Sequence, residues 1–225
     1  MSAEAPAPPT GGAPLSDAGI EVLRRTQRHL QAIYAIEAPD VADFVVDAPT
    51  AAALAPGARV GREALLVSER DGSAEVAVFI APELVAQVAS RAPAAAVEEA
   101  LDAWAVTVEV VSHFLLLAHR AGREEGVSLL ELEAQAEVDK FVTASLVAGR
   151  DEPPGALRSR LFDGARLLPD LDPAERERYA TAGRWADGYC RRLERLPHVG
   201  AVLVELRSFW RLSGHARLER MRRAA

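Results

Sequence analysis

The chain has 225 residues, 49% of them apolar, and a formal net charge of -7. It is long enough to bury a sizeable core and too acidic overall for a generic nucleic-acid binder. Its single cysteine, Cys190, excludes an intramolecular disulfide and any cysteine-based zinc site within one chain.

Residues 1–16, MSAEAPAPPTGGAPLS, lack the basic n-region and apolar h-region of a secretory signal and read as a disordered Ala/Pro/Gly-rich tail. From Ser16 or Asp17, which can cap, a helix follows with Ile20, Val22, Leu23, Leu30, Ile33 and Tyr34 on its apolar side, ending before Pro39. Residues 40–47 suit a short helix or a strand, and PTAAALAPGA a loop or weak helical turn. EALLVSE and AEVAVFI flank Asp71-Gly72, so a β-hairpin is expected over 64–70 and 74–80, with a third strand conceivable near 44. Beyond Pro82 the pattern is helical: 82–90, about 95–121, 129–148, 155–167, from Pro173 to about 195, and a last helix reaching the C-terminus. Ser128 with Glu131, and Asp172-Pro173 with Glu175, have capping-box spacing. The expected fold class is α+β, a mostly α-helical body with one small antiparallel β-hairpin in the N-terminal third. Helix, hairpin and a central two-helix core occupy 17–150. The C-terminal helices of 151–225 pack on the same core, with a possible boundary at 151–155.

Charge is unevenly spread. Residues 1–150 carry 11 basic and 22 acidic side chains, whereas residues 151–225 carry 15 and 11, an asymmetry able to orient a partner or dock the two halves. The 25 arginines against one lysine, with no asparagine, suggest a GC-rich bacterial genome. The longest apolar run, Trp104 to Ala118, is shorter than the ~20 residues of a membrane span and contains Glu109 and His113. A cytoplasmic chain without a membrane partner is therefore expected.

One segment concentrates chemistry. In LLELEAQAEVDKF (129–141), four carboxylates and Lys140 share a stretch that otherwise reads as core helix. At ~100° per residue, Glu131, Gln135 and Asp139 project toward solvent, while Glu133, Glu137 and Lys140 fall inside the apolar arc. The preceding helix carries Asp102, Glu109, His113 and Arg120 on a narrow polar stripe, and the short connection at 122–127 favours antiparallel packing. Glu109, His113, Glu133, Glu137 and Lys140 are then expected to converge. Such a set can hold a divalent metal through Glu109, His113, Glu133 and Glu137, or move protons through Glu137, Lys140 and His113 as candidate catalytic groups. It can equally be a buried polar network that fixes helix register. No HExxH motif or phosphate-cradling glycine loop occurs, so no cofactor is predicted beyond that metal.

Arg207, Arg211, His215 and Arg222 fall on one side of the expected last helix, with Tyr179, Trp185, Tyr189 and Trp210 nearby in sequence. Arginines for phosphates and rings for stacking would suit a single strand, and Arg207, Arg211 and Arg222 are weak nucleic-acid candidates; a solvated face is the blander account. His29, His119 and His198 lack metal-ligand spacing, and Cys190 reads as a small core residue. Composition favours a non-catalytic adaptor or accessory protein that binds another protein. A metal-dependent or acid–base enzyme built on the Glu/His/Lys cluster is the alternative. Neither partner identity nor oligomeric state is legible.

Overall fold

The structure is a computed structural model, and it describes residues 14–56, 61–70, 73–148, 155–164 and 171–225. Local capping chemistry decides several boundaries. Ser16 accepts from the Gly19 backbone N–H and opens α1 (Asp17–Tyr34), which ends with Ala35 in the left-handed region at φ 54°. After a 3₁₀ turn at Val41–Phe44, Asp47 caps α2 (Ala48–Leu54), a regular helix where a loop or weak turn was expected. The hairpin forms from β1 (Glu63–Arg70) and β2 (Ser73–Ile80), antiparallel, with Glu63 opposite Ile80 and Arg70 opposite Ser73. The expected turn residues Asp71 and Gly72 lie outside the described residues, as do residues 1–13 of the tail and Pro153-Pro154. In place of a third strand there is an isolated parallel bridge, Val45 to Val78.

Two expected helices are interrupted. The 95–121 segment divides into α4 (Pro93–Glu99) and α5 (Leu101–Ala121), because Ala100 leaves helical geometry at φ -136°, ψ 38°. The last segment divides into α9 (Val199–Trp210) and α10 (Gly214–Arg222), because Ser213 becomes an N-cap that accepts from Ala216. Before them comes α3 (Pro82–Ala89), and between them lie α6 (Leu129–Ala148), α7 (Ala156–Phe162, shorter than expected) and α8 (Pro173–Glu194). Both halves of the Asp172/Glu175 capping box are present on α8. The chain is thus α+β, with a mostly helical body and one two-stranded antiparallel sheet.

Helix α6 is the axis of the body. It packs most extensively on α8, then on α5, and also on α1, α4, α7 and α10. Enclosure on every side explains why its polar residues are buried as well as its apolar ones, so that Glu131, Gln135 and Asp139 are 2%, 0% and 1% exposed. The expectation that these three face solvent is therefore wrong. Among the described residues, α5 alone is long and apolar enough to cross a membrane; it is largely buried, against α1, α3, α4, α6 and the sheet. One apolar cluster joins Val22, Leu30, Val78, Val111, Phe141, Leu157, Tyr189 and Trp210.

Candidate metal centre

The site forms where β1, α5, α6 and α8 meet. Strand alternation puts Glu63 on the same face as Leu65, which packs on the main core, whereas Ala64 and Leu66 pack with Phe79 and α2 on the other face. The Arg62 carbonyl accepts from Ala81 at 2.8 Å and the Arg62 guanidinium pairs with Asp102, tying the open end of the hairpin to the start of α5. Glu63 is buried close enough to Glu109 and Glu133 to feel their charges, outside the tighter group that Glu109, Glu133 and His113 form.

Helices α5 and α6 run antiparallel as expected, since Arg120 meets Glu131, His113 meets Glu133 and Glu109 meets Lys140. His113 Nε2 lies 3.7 Å from Glu133 Oε2, and ligand atoms of Glu109, His113 and Glu133 all fall within 4.8 Å of one another. Lys140 bridges Glu109 at 2.7 Å and Glu137 at 2.8 Å. Of the five residues expected to converge, three form this constellation; Glu137 stands behind Lys140 as its second carboxylate. Two further residues come from α8. The Arg178 Nε approaches Glu133 to 3.9 Å, and burial, then the Glu133 charge, raises the pKa of the Tyr179 hydroxyl.

The electrostatics follow from burial and crowding. Burial, then the Glu109 charge, raises the carboxyls of Glu63 and Glu133 to about 8 each. Burial also opposes ionisation of Glu109, but the Lys140 ammonium outweighs it and holds that carboxyl below its usual range. For Lys140 burial is overcome by Glu137 and Glu109, which raise its pKa; a permanently charged ammonium cannot serve as a general base. Burial lowers the His113 pKa, so the ring is neutral at ordinary pH. Its Nε2 is buried without a hydrogen-bond partner. A neutral imidazole with an unpartnered ring nitrogen is the form in which histidine binds a metal. Glu63 Oε2 is a second buried atom without a hydrogen-bond partner.

A separate buried network occupies the opposite side of α6. Asp139 accepts from Ser112 at 2.6 Å, from Gln135 at 2.8 Å and from Tyr34. Arg217 donates to Gln135 and to the Trp210 carbonyl and lies 3.6 Å from Glu131, which Arg120 reaches at 2.6 Å. Burial raises Asp139 to about 6 and lowers Arg217 to about 10. Arg120, from the narrow polar stripe of α5, is 3% exposed; Asp102, from the same stripe, is exposed and paired with Arg62.

The nucleic-acid candidates do not gather into a stacking groove. Arg207 donates to the Ile33 and Ala32 carbonyls at the end of α1, both at 3.1 Å, and so acts as a C-terminal cap. Arg222 pairs with Glu219, and Arg211 lies in the link before α10. Tyr189 and Trp210 are core rings, stacked on Phe209 and Tyr34 with centroids 4.5 and 4.3 Å apart. His198 caps α9, and Cys190 is fully buried with its thiol pKa raised by burial.

Two members of the site, Glu63 and Arg178, were missed from the sequence. The alternation around Leu65 carried a signal for Glu63; nothing local marked Arg178. Comparison of the chain with protein-family models, curated proteins and solved structures gave no match.

Proposed function

We propose that the chain binds a divalent cation through Glu63, Glu109, His113 and Glu133. The observation that carries this reading is a set of buried polar atoms without hydrogen-bond partners, His113 Nε2 and Glu63 Oε2 with Arg178 Nε beside them, at a cluster whose charges do not balance. Among the described residues, Glu63, Glu109, Glu133 and Glu137 face Lys140 and Arg178, while Arg62, which also acts on Glu109, is already paired with Asp102. With all four carboxylates ionised, two negative charges are uncompensated. A divalent ion neutralises them; without one, protons held up to about pH 8 on Glu63 and Glu133 do so instead.

One imidazole with carboxylate oxygens suits a first-row cation such as Mn²⁺ or Zn²⁺. Bonds of about 2.0 Å to a tetrahedral ion separate its ligands by about 3.3 Å, and the 3.7 Å between His113 and Glu133 is close to that. The ion would join the hairpin to α5 and α6. The adaptor reading that composition favours has no comparable observation behind it.

Thermal unfolding of chelator-stripped protein at pH 8, with and without Mn²⁺ or Zn²⁺, tests the proposal. At free cation 100 times Kd the linkage is about 2.7 kcal/mol, a rise in Tm of roughly 5–10 °C for a chain this long. The rise should vanish in Glu133→Gln and shrink below pH 6, where Glu63 and Glu133 hold protons. A midpoint indifferent to both cations at pH 8 would contradict it.

A further inference from the structure

The basic excess of the C-terminal third is gathered rather than spread. Gly188 of α8 lies under the end of the chain, and a Cβ there would strike the backbone of Ala224 and Ala225. This close approach leaves a cleft of about 750 Å³ between the second half of α8 and α10, a size suited to a small molecule. Arg191, Arg192, Arg195, Arg220, Arg223 and His215 line it, and Glu219 is the lining carboxylate.

The neighbouring acids do not neutralise the cleft. Glu219 already holds Arg222 and Arg223, each at 2.7 Å. Asp187 holds Arg191 and Arg158, both at 2.5 Å, and Glu194 lies 3.2 Å from Arg158. Glu205 serves Arg192 and Arg220 at the longer distances of 3.8 and 3.4 Å. Among the described residues, seven guanidiniums thus meet four carboxylates. Guanidinium forks match phosphate oxygens two at a time, and several on one small cleft favour an anion carrying more than one phosphate. Leu212, Ala216 and Ala224 supply its apolar lining, and among the described residues no Phe, Tyr or Trp ring lines it for a base to stack on. The recognised part is therefore the phosphates themselves.

We propose that the α8–α10 cleft binds a compact polyphosphate group. The test is calorimetric titration with inorganic triphosphate, with ATP and with a single-stranded oligonucleotide, at low salt and with a chelator present so that cation complexes do not contribute. Triphosphate and ATP should bind once per chain with similar affinity, weakening as salt is added. Arg192→Gln with Arg195→Gln, two exposed positions, should weaken both at least tenfold, while Arg25→Gln on α1 leaves them unchanged. Equal thermal midpoints of the variants would show that the fold is intact; if the double variant unfolds, protection of Arg192 and Arg195 from phenylglyoxal by triphosphate on the unaltered chain gives the same reading. Absence of saturable triphosphate binding, binding of the oligonucleotide alone, or affinity unaltered in the double variant without such protection would overturn the proposal.

Discussion

Lys140 shows what a single side chain carries here. Its ammonium sits between Glu109 and Glu137, and its side chain is 11% exposed. Removing one partner from a buried ion pair costs about 3–5 kcal/mol, mostly because the other charge is left uncompensated. Lys140→Met should therefore lose about that much stability, and adding Glu109→Gln should restore part of it; urea unfolding of the two variants measures both. No loss in Lys140→Met would contradict the burial. The sequence revealed that Glu133 and Lys140 are buried, because both fall within an apolar arc. It misplaced Glu131, Gln135 and Asp139 because their partners are remote: Tyr34 lies 105 positions from Asp139 and Arg217 82 from Gln135. A polar helix face reads as solvent-facing unless the residues that enclose it are also known.

Elements were legible where capping and turn chemistry is written locally. Ser16, the Asp172–Glu175 box and the hairpin registered correctly, since each depends on residues within a few positions. The break between α9 and α10 was also written, as Ser213-Gly214, whereas the bend at Ala100 has no Pro or Gly to announce it. Two glycine–alanine exchanges follow from this scale. Ala35 ends α1 in the left-handed region, where a side chain costs roughly 1–2 kcal/mol, so Ala35→Gly should raise the unfolding midpoint. Gly214→Ala should lower it although alanine is the better helix former, because a Cβ there would strike the Glu131 carboxylate that pairs with Arg120 and Arg217. Opposite shifts are expected; a rise in both would contradict the close contact of α10 with α6.

For the whole molecule, the buried acids set the pH dependence. Asp139 binds its proton up to about pH 6, and Glu63 and Glu133 up to about 8, all above their unfolded values. At these three acids the folded state holds more protons than the unfolded one, so their contribution to the stability of the metal-free chain should fall as pH rises from about 4 to 8, whereas His29, His113 and His119, whose pKa values burial lowers, contribute the opposite slope below about pH 6.5. Glu133→Gln should flatten part of this slope, which denaturant midpoints at pH 5 and 8 will show. The proposed centre was only partly readable because it draws on β1, α5, α6 and α8. Periodicity could pair α5 with α6 across a short connection, but no local pattern tells that α8 brings Arg178 and Tyr179 to Glu133. The most direct measurement is the metal content of protein reloaded with Mn²⁺ or Zn²⁺ at pH 8 and dialysed, beside Glu133→Gln and Glu137→Gln. About one ion per chain, lost in Glu133→Gln and kept in Glu137→Gln, is the result expected. No retained ion, or equal retention in all three proteins, would contradict the metal centre.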